Sequence, residues 1–239
     1  MRSSVDTGII YIMDRTVTFQ MYIKVNEVKL FFTKSGQGNP IILLHGNGED
    51  HTIFDVLTEQ LSKEYTVYAI DSRDHGKSSR VKNLDYQSMM EDIAAFIQKL
   101  NIQNPILYGF SDGGILGILL AIKYPDMLSK LIISGANTHP NGIKTIYTIL
   151  LKIAYFFTRN RKFKLMLTQP NITEEDLNKI ITPILVLAGS KDVVKDEHTR
   201  MIAKNIKNSV LQVIKGEGHT SYVVHSKKLY DIINPFLTS

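Results

Sequence analysis

Short apolar runs alternate along this chain with longer segments whose apolar residues recur at helical spacing. That rhythm predicts a mainly parallel sheet flanked by helices. Strands covered on both faces read as unbroken apolar runs, and the crossovers between them read as amphipathic helices. Residues 22–25 and 28–33 flank Asn26-Glu27 and predict an opening antiparallel hairpin. Further strands are predicted over 41–44, 66–70, 106–110, 128–134, 184–188 and 210–214, and helices over 53–62, 87–100, 113–122, 196–205 and 221–236. In the helix at 87–100, Met90, Ile93, Ala94 and Ile97 fall on one face.

The rhythm breaks over 138–181, which is helical in pattern (Ile143, Ile146, Leu150, Ile153, Ala154, Phe157) and offers no strand. It reads as an insertion over one end of a core formed by 21–137 and 182–239. Residues 1–20 stand apart as an N-terminal extension. Met13 and Met21 are each possible initiators, so a cloning remnant, an over-long gene prediction and a genuine segment all stay open.

Composition narrows the picture without deciding it. Apolar residues make up 44% and charged residues 21% of the 239, which suits one globular domain with a modest insertion. The net charge of +5 and pI near 9.2 are basic, yet no dense Lys/Arg run or nucleic-acid module is visible, so nucleic acid is not an expected partner. No stretch approaches the roughly 18 apolar residues of a spanning helix, and stable membrane insertion is not expected. With no cysteine, disulfides, Cys-zinc sites and a thiol nucleophile drop out, and the expected location is cytoplasmic. Oligomeric state is not legible.

The candidate chemistry begins at Gly109-Phe110-Ser111-Asp112-Gly113. A G-x-S-x-G match is weak alone, but this one closes an apolar strand and opens an apolar helix. A sharp strand-to-helix turn forces its serine into strained backbone, of order 1–3 kcal/mol, and the flanking glycines leave room for the turn. The helix N-terminus then points free N–H groups at the serine, where they can stabilise an oxyanion. A serine nucleophile needs an imidazole base, and the base needs a carboxylate to orient it. Asp192 and His219 each lie just past a predicted strand, on the sheet edge that carries Ser111. Asp196 is the alternative acid, but it reads as a helix N-cap. His45-Gly46-Asn47-Gly48 follows the strand at 41–44. Asn47, with Gly48 second, is the candidate oxyanion donor opposite Asp112, while His45 reads as a loop-shaping residue. Asp71, Asp74 and His75 lack a recognised metal-ligand spacing and read as a structural turn.

Together His45-Gly46, the turn at 71–78, 109–113, 189–192 and Gly218-His219 make residues 21–239 resemble the α/β-hydrolase superfamily, best its small capped bacterial esterases and lipase-like members. The order Ser, Asp, His is the order of that superfamily. The resemblance implies an α/β-hydrolase fold, 138–181 as a short helical cap, and cofactor-free acyl transfer on small to medium carboxylic esters. Ser111, Asp192 and His219 would be its triad, and the N–H groups of Asn47 and Asp112 its oxyanion hole. C–C bond hydrolysis, amide or peptide cleavage and a non-catalytic binding role share this scaffold. The aromatic and apolar residues of the cap, interleaved with Lys152, Arg159, Arg161, Lys162 and Lys164, read foremost as a face packed on the domain beneath. The alternative is an acyl-binding wall whose basic rim attracts anionic lipid or carboxylated substrates.

Overall fold

The computed structural model describes residues 5–13 and 16–239, the strand 5–13 and residue 16 by backbone alone. Among the described residues nine strands form one sheet: β1 (Val5–Met13), β2 (Thr16–Val25), β3 (Val28–Ser35), β4 (Asn39–Leu44), β5 (Tyr65–Ile70), β6 (Ile106–Phe110), β7 (Lys130–Ser134), β8 (Ile184–Gly189) and β9 (Ser209–Ile214). Their order is β1-β2-β3-β5-β4-β6-β7-β8-β9. From β5 to β9 every pairing is parallel, and β1–β3 join as an antiparallel extension through β3–β5. The α/β-hydrolase fold expected from the sequence is the fold observed. Where the sequence reading set residues 1–20 apart, the structure carries the sheet into them: Thr16–Gln20 begin β2, which pairs with β1.

The helices are α1 (Asp55–Leu61), α2 (Tyr86–Lys99), α3 (Asp112–Lys123), α4 (Thr145–Thr158), α5 (Arg161–Thr168), α6 (Glu174–Asn178), α7 (Asp196–Lys204) and α8 (Lys228–Leu237). Strand alternation divides the interior into two apolar cores. Ile42, Leu44, Leu107, Leu131, Ile133 and Val186 face α2 and α3, while Ile41, Leu43, Tyr108, Ile132 and Leu185 face α1 and α8. Because both faces are covered, the central strands read as unbroken apolar runs. The carboxyl ends of the parallel strands β4, β6, β7, β8 and β9 open onto one edge, from which the loops bearing Asn47, Ser111, Gly135, Asp192 and His219 spring.

The segment 138–181 supplies α4, α5 and α6 and no strand of the sheet. Its second half packs as the sequence reading favoured, with Leu165, Ile172, Leu177 and Ile180 buried against the core. Helix α4 departs from that reading, for none of its residues is buried. The last helix is also shorter than the predicted 221–236. His225 takes a positive φ of 48°, and Tyr222 and Val223, fully buried, belong to a turn before α8. Asp196 is the first residue of α7 rather than its N-cap, which is Lys195, and its carboxylate pairs with Arg200.

Candidate active site

Ser111 occupies the turn between β6 and α3 with φ 51° and ψ −113°, a conformation that side-chain-bearing residues seldom adopt. The surrounding hydrogen bonds hold it there: Ser111 N–H donates to Ser134 O at 2.8 Å and Gly113 N–H to His45 O at 3.1 Å. The motif glycines are sterically required. A Cβ on Gly109 would sit 2.2 Å from Gly113 O, and one on Gly113 would sit 2.1 Å from Leu44 O.

His219 bridges the serine and the acid. Its Nε2 lies 3.2 Å from Ser111 Oγ and its Nδ1 lies 2.7 Å from Asp192 Oδ1. Asp192 is anchored in turn by the N–H groups of Val194 (3.0 Å) and Gly189 (3.4 Å). Burial pushes the Asp192 carboxyl up, but the hydrogen bond and charge of His219 and these two N–H groups outweigh it, so the group sits below its ordinary value. The acid is thus held as a carboxylate facing the imidazole, the arrangement that fixes a tautomer with a free Nε2 lone pair toward the hydroxyl.

Asn47 and Asp112 also meet. Asn47 Nδ2 donates to Asp112 Oδ2 at 2.8 Å, and Tyr86 Oη donates to Asp112 Oδ1 at 2.7 Å. Burial raises the Asp112 carboxyl, with these two donors opposing it. The loop after β4 is thereby fastened to the N-terminus of α3. Among the described residues neither the Asn47 nor the Asp112 backbone N–H donates to a protein acceptor. His45 shapes this loop: Ser72 N–H donates to its Nε2 at 3.1 Å, and its Nδ1 lies 2.8 Å from Gly46 O. The turn after β5 does not gather Asp71, Asp74 and His75 as ligands. Asp74 pairs with Arg161 at 2.8 Å, and His75 Nδ1 bonds Arg73 O. Asp50, His51 and Asp71 do approach within 4.8 Å of one another, but Asp71 is already engaged through Oδ1 with His51 N–H and Nδ1 and through Oδ2 with Lys77 N–H.

Two contributors are not apparent from the motifs. Gly135, at the end of β7 with φ 62°, faces the imidazole: a Cβ there would lie 2.6 Å from His219 Cε1 and 2.8 Å from Nδ1. The other is Glu49, whose Oε2 accepts from Gly46 N–H at 3.0 Å and whose carboxyl is raised by burial. Ser111 and His219 open into a cavity of about 420 Å³. Ile143, Leu150, Leu151, Phe163 and Met166 make its wall apolar, with Glu49 and Asn137 among its polar members.

A serine, imidazole and carboxylate in hydrogen-bonded series on the carboxyl edge of a parallel sheet define an α/β hydrolase. A model of the alpha/beta hydrolase fold family matches residues 39–173, more than half of the chain, and the protein belongs to that family. The AB hydrolase superfamily protein YisY of Bacillus subtilis is 28% identical over 265 residues, covering 91% of this chain and 99% of the relative. The human serine hydrolase BPHL is 27% identical over 251 residues, covering 90% of this chain and 85% of its own length. Among solved structures, an esterase (EaEST) from Exiguobacterium antarcticum superposes with a TM-score of 0.81 at 22% identity, over 91% of this chain and 99% of that one. This last likeness speaks for the fold.

Proposed function

We propose that the protein is a serine hydrolase that cleaves small to medium-chain carboxylic esters through an acyl-enzyme on Ser111. The observation that carries the reading is the continuous series from Asp192 through His219 to Ser111, 2.7 and 3.2 Å, at the floor of an apolar cavity. His219 Nε2 takes the hydroxyl proton as Ser111 Oγ bonds to the ester carbonyl carbon. The oxygen that gains charge is met by the N–H groups of Asn47 and Asp112, worth about 3 kcal/mol each in such sites. The imidazolium returns its proton to the departing alkoxide, and the ester C–O bond breaks. Water then repeats the sequence on the acyl-enzyme, with His219 again as base, and releases the acid.

The acyl group has an apolar wall to lie against, formed in part by Leu150, Leu151 and Ala154 of α4 and Phe163 and Met166 beyond it. In this reading 138–181 is the cap. Ester substrates suit such a wall because the acyl chain has no polar atom to leave unpaired on burial. The name of the human relative, a serine hydrolase, points the same way.

Turnover of p-nitrophenyl esters from acetate to long acyl chains, beside Ser111→Ala, tests this. Activity that peaks at one chain length and vanishes in the variant is the expected result. A wild type as inactive as the variant on every ester would remove the ester reading and move amide and C–C cleavage ahead of it.

A further inference from the structure

Helix α4 presents an unusual surface. The side turned from the cavity carries Ile146, Ile149, Ile153, Phe156 and Phe157, which are 47–78% exposed, Phe157 the most. These residues form one stripe at helical spacing, next to the stripe that lines the cavity. A contiguous apolar stripe left in water marks an interaction surface. Phe156 and Phe157 stack edge-on at its C-terminal end, with the Arg159 guanidinium over the Tyr155 and Phe156 rings.

The charges around that stripe have one sign. From Lys144 to Lys164 there are six basic residues and no Asp or Glu. Directly beyond the end of α4 lies a hollow of about 660 Å³ lined by Arg80, Lys82, Arg159, Arg161 and Lys162, with Asp74 its acidic member. Asp74 is committed to Arg161 through its carboxylate and to Arg80 through its carbonyl. The hollow is therefore strongly positive, and its Arg159 guanidinium also lies over the Phe156 ring.

We propose that α4 and this basic hollow dock the protein peripherally on an anionic lipid surface. Phe156, Phe157 and the isoleucines would enter the acyl boundary, and the hollow would receive headgroup phosphates. Charge complementarity selects this occupant over a second copy of the chain, because a two-fold contact through α4 would bring two unbalanced basic caps together. Helix α4 has 14 residues, and no helix among the described residues is long and apolar enough to cross a membrane, so the contact is surface docking. It places the cavity wall of Tyr147, Leu150 and Ala154 beside the lipid. The inference stands apart from the ester chemistry, because binding is read without turnover.

The test is sedimentation of the full chain with sucrose-loaded vesicles, either phosphatidylcholine alone or an equal mixture with phosphatidylglycerol. Light scattering after size exclusion is run on the same proteins. Expected are binding to the anionic vesicles that fades in high salt, weak binding to the neutral ones, and a loss of at least about tenfold in Phe156→Ser/Phe157→Ser. Lys152→Glu/Arg159→Glu should lose comparably, and all three proteins should keep the same melting temperature within a few degrees. The proposal is overturned if anionic vesicles bind no better than neutral ones. It is equally overturned if both double variants bind as wild type does, or if wild type is a dimer that the phenylalanine variant makes monomeric.

Discussion

Gly135 is the least conspicuous part of the candidate site and gives the sharpest prediction. Replacing it with alanine puts a methyl group 2.6 Å from His219 Cε1 and 2.8 Å from Nδ1, where carbon contacts prefer about 3.5–4.0 Å. The ring must retreat by about 1 Å. Its Nε2 lies 3.2 Å from Ser111 Oγ, already at the long end of a hydrogen bond, and its Nδ1 is 2.7 Å from Asp192. A 1 Å retreat cannot preserve both. Misplacement on that scale costs on the order of 100-fold in rate. Alanine at φ 62° adds about 1–2 kcal/mol of strain, which lowers Tm by several degrees in a chain of this length. The assay is steady-state hydrolysis of a p-nitrophenyl ester, with thermal melting on the same samples. Gly135→Ala should lose about 100-fold in kcat while KM changes little. Gly135 lines the cavity, but its added methyl meets the His219 ring rather than the apolar side chains of Leu150, Leu151 and Ala154. A variant that melts a few degrees lower yet keeps kcat within about threefold of wild type would refute the reasoning.

Three further outcomes follow from the same geometry. Asn47→Ala should lose only about tenfold in kcat/KM on esters, since the backbone N–H is the donor and only the side-chain ties to Asp112 (2.8 Å) and Lys162 O (3.5 Å) are removed; a loss near 1000-fold would assign the donor role to the side chain. Ala154→Phe, on the cavity wall, should cut octanoate turnover by at least about tenfold and leave acetate within about threefold, and equal losses on both would show that the acyl chain lies elsewhere. The Asp192 carboxyl is held below its ordinary value in the folded state. The stability it contributes is therefore complete above the unfolded value near 3.9 and is lost as pH falls through the lower, folded value. The melting temperature of wild type should exceed that of Asp192→Asn at neutral pH, and the gap should narrow below about pH 4; a gap that stays constant down to pH 2 would contradict the depressed value.

The elements that sequence reading located best are those whose cause is local. The elbow at Ser111 is written in adjacent residues, because a Cβ at Gly109 or Gly113 collides with backbone only a turn away or on the neighbouring strand. The central strands were legible because both faces are buried, and Asp192 because it follows one of them, β8. His219 instead follows β9, an edge strand of alternating half-buried and exposed residues that is legible by its period of two. What escaped has tertiary causes. Nothing near Gly135 announces an imidazole that arrives from the loop after β9. The apolar residues Tyr222 and Val223 mimic a helix face, yet they are buried as a turn, with Tyr222 Oη bonded to Ser134 Oγ. The periodicity of α4 shows an amphipathic helix but not what covers it, and its exposed stripe emerges only once the sheet, α5 and the cavity have taken their places. Residues 16–20 continue a strand whose pairing with β3 extends to Thr18 and Ser35, a register invisible to composition.

The central claim is that Ser111 attacks, and it is tested most directly by labelling the protein with a fluorophosphonate and locating the adduct by peptide mass spectrometry. One phosphonyl group on Ser111, with ester turnover lost in step with labelling and no adduct in His219→Ala over the same time, is the predicted result. Full labelling of Ser111 with turnover intact, or an adduct on another serine that accompanies the loss of activity, would contradict the account.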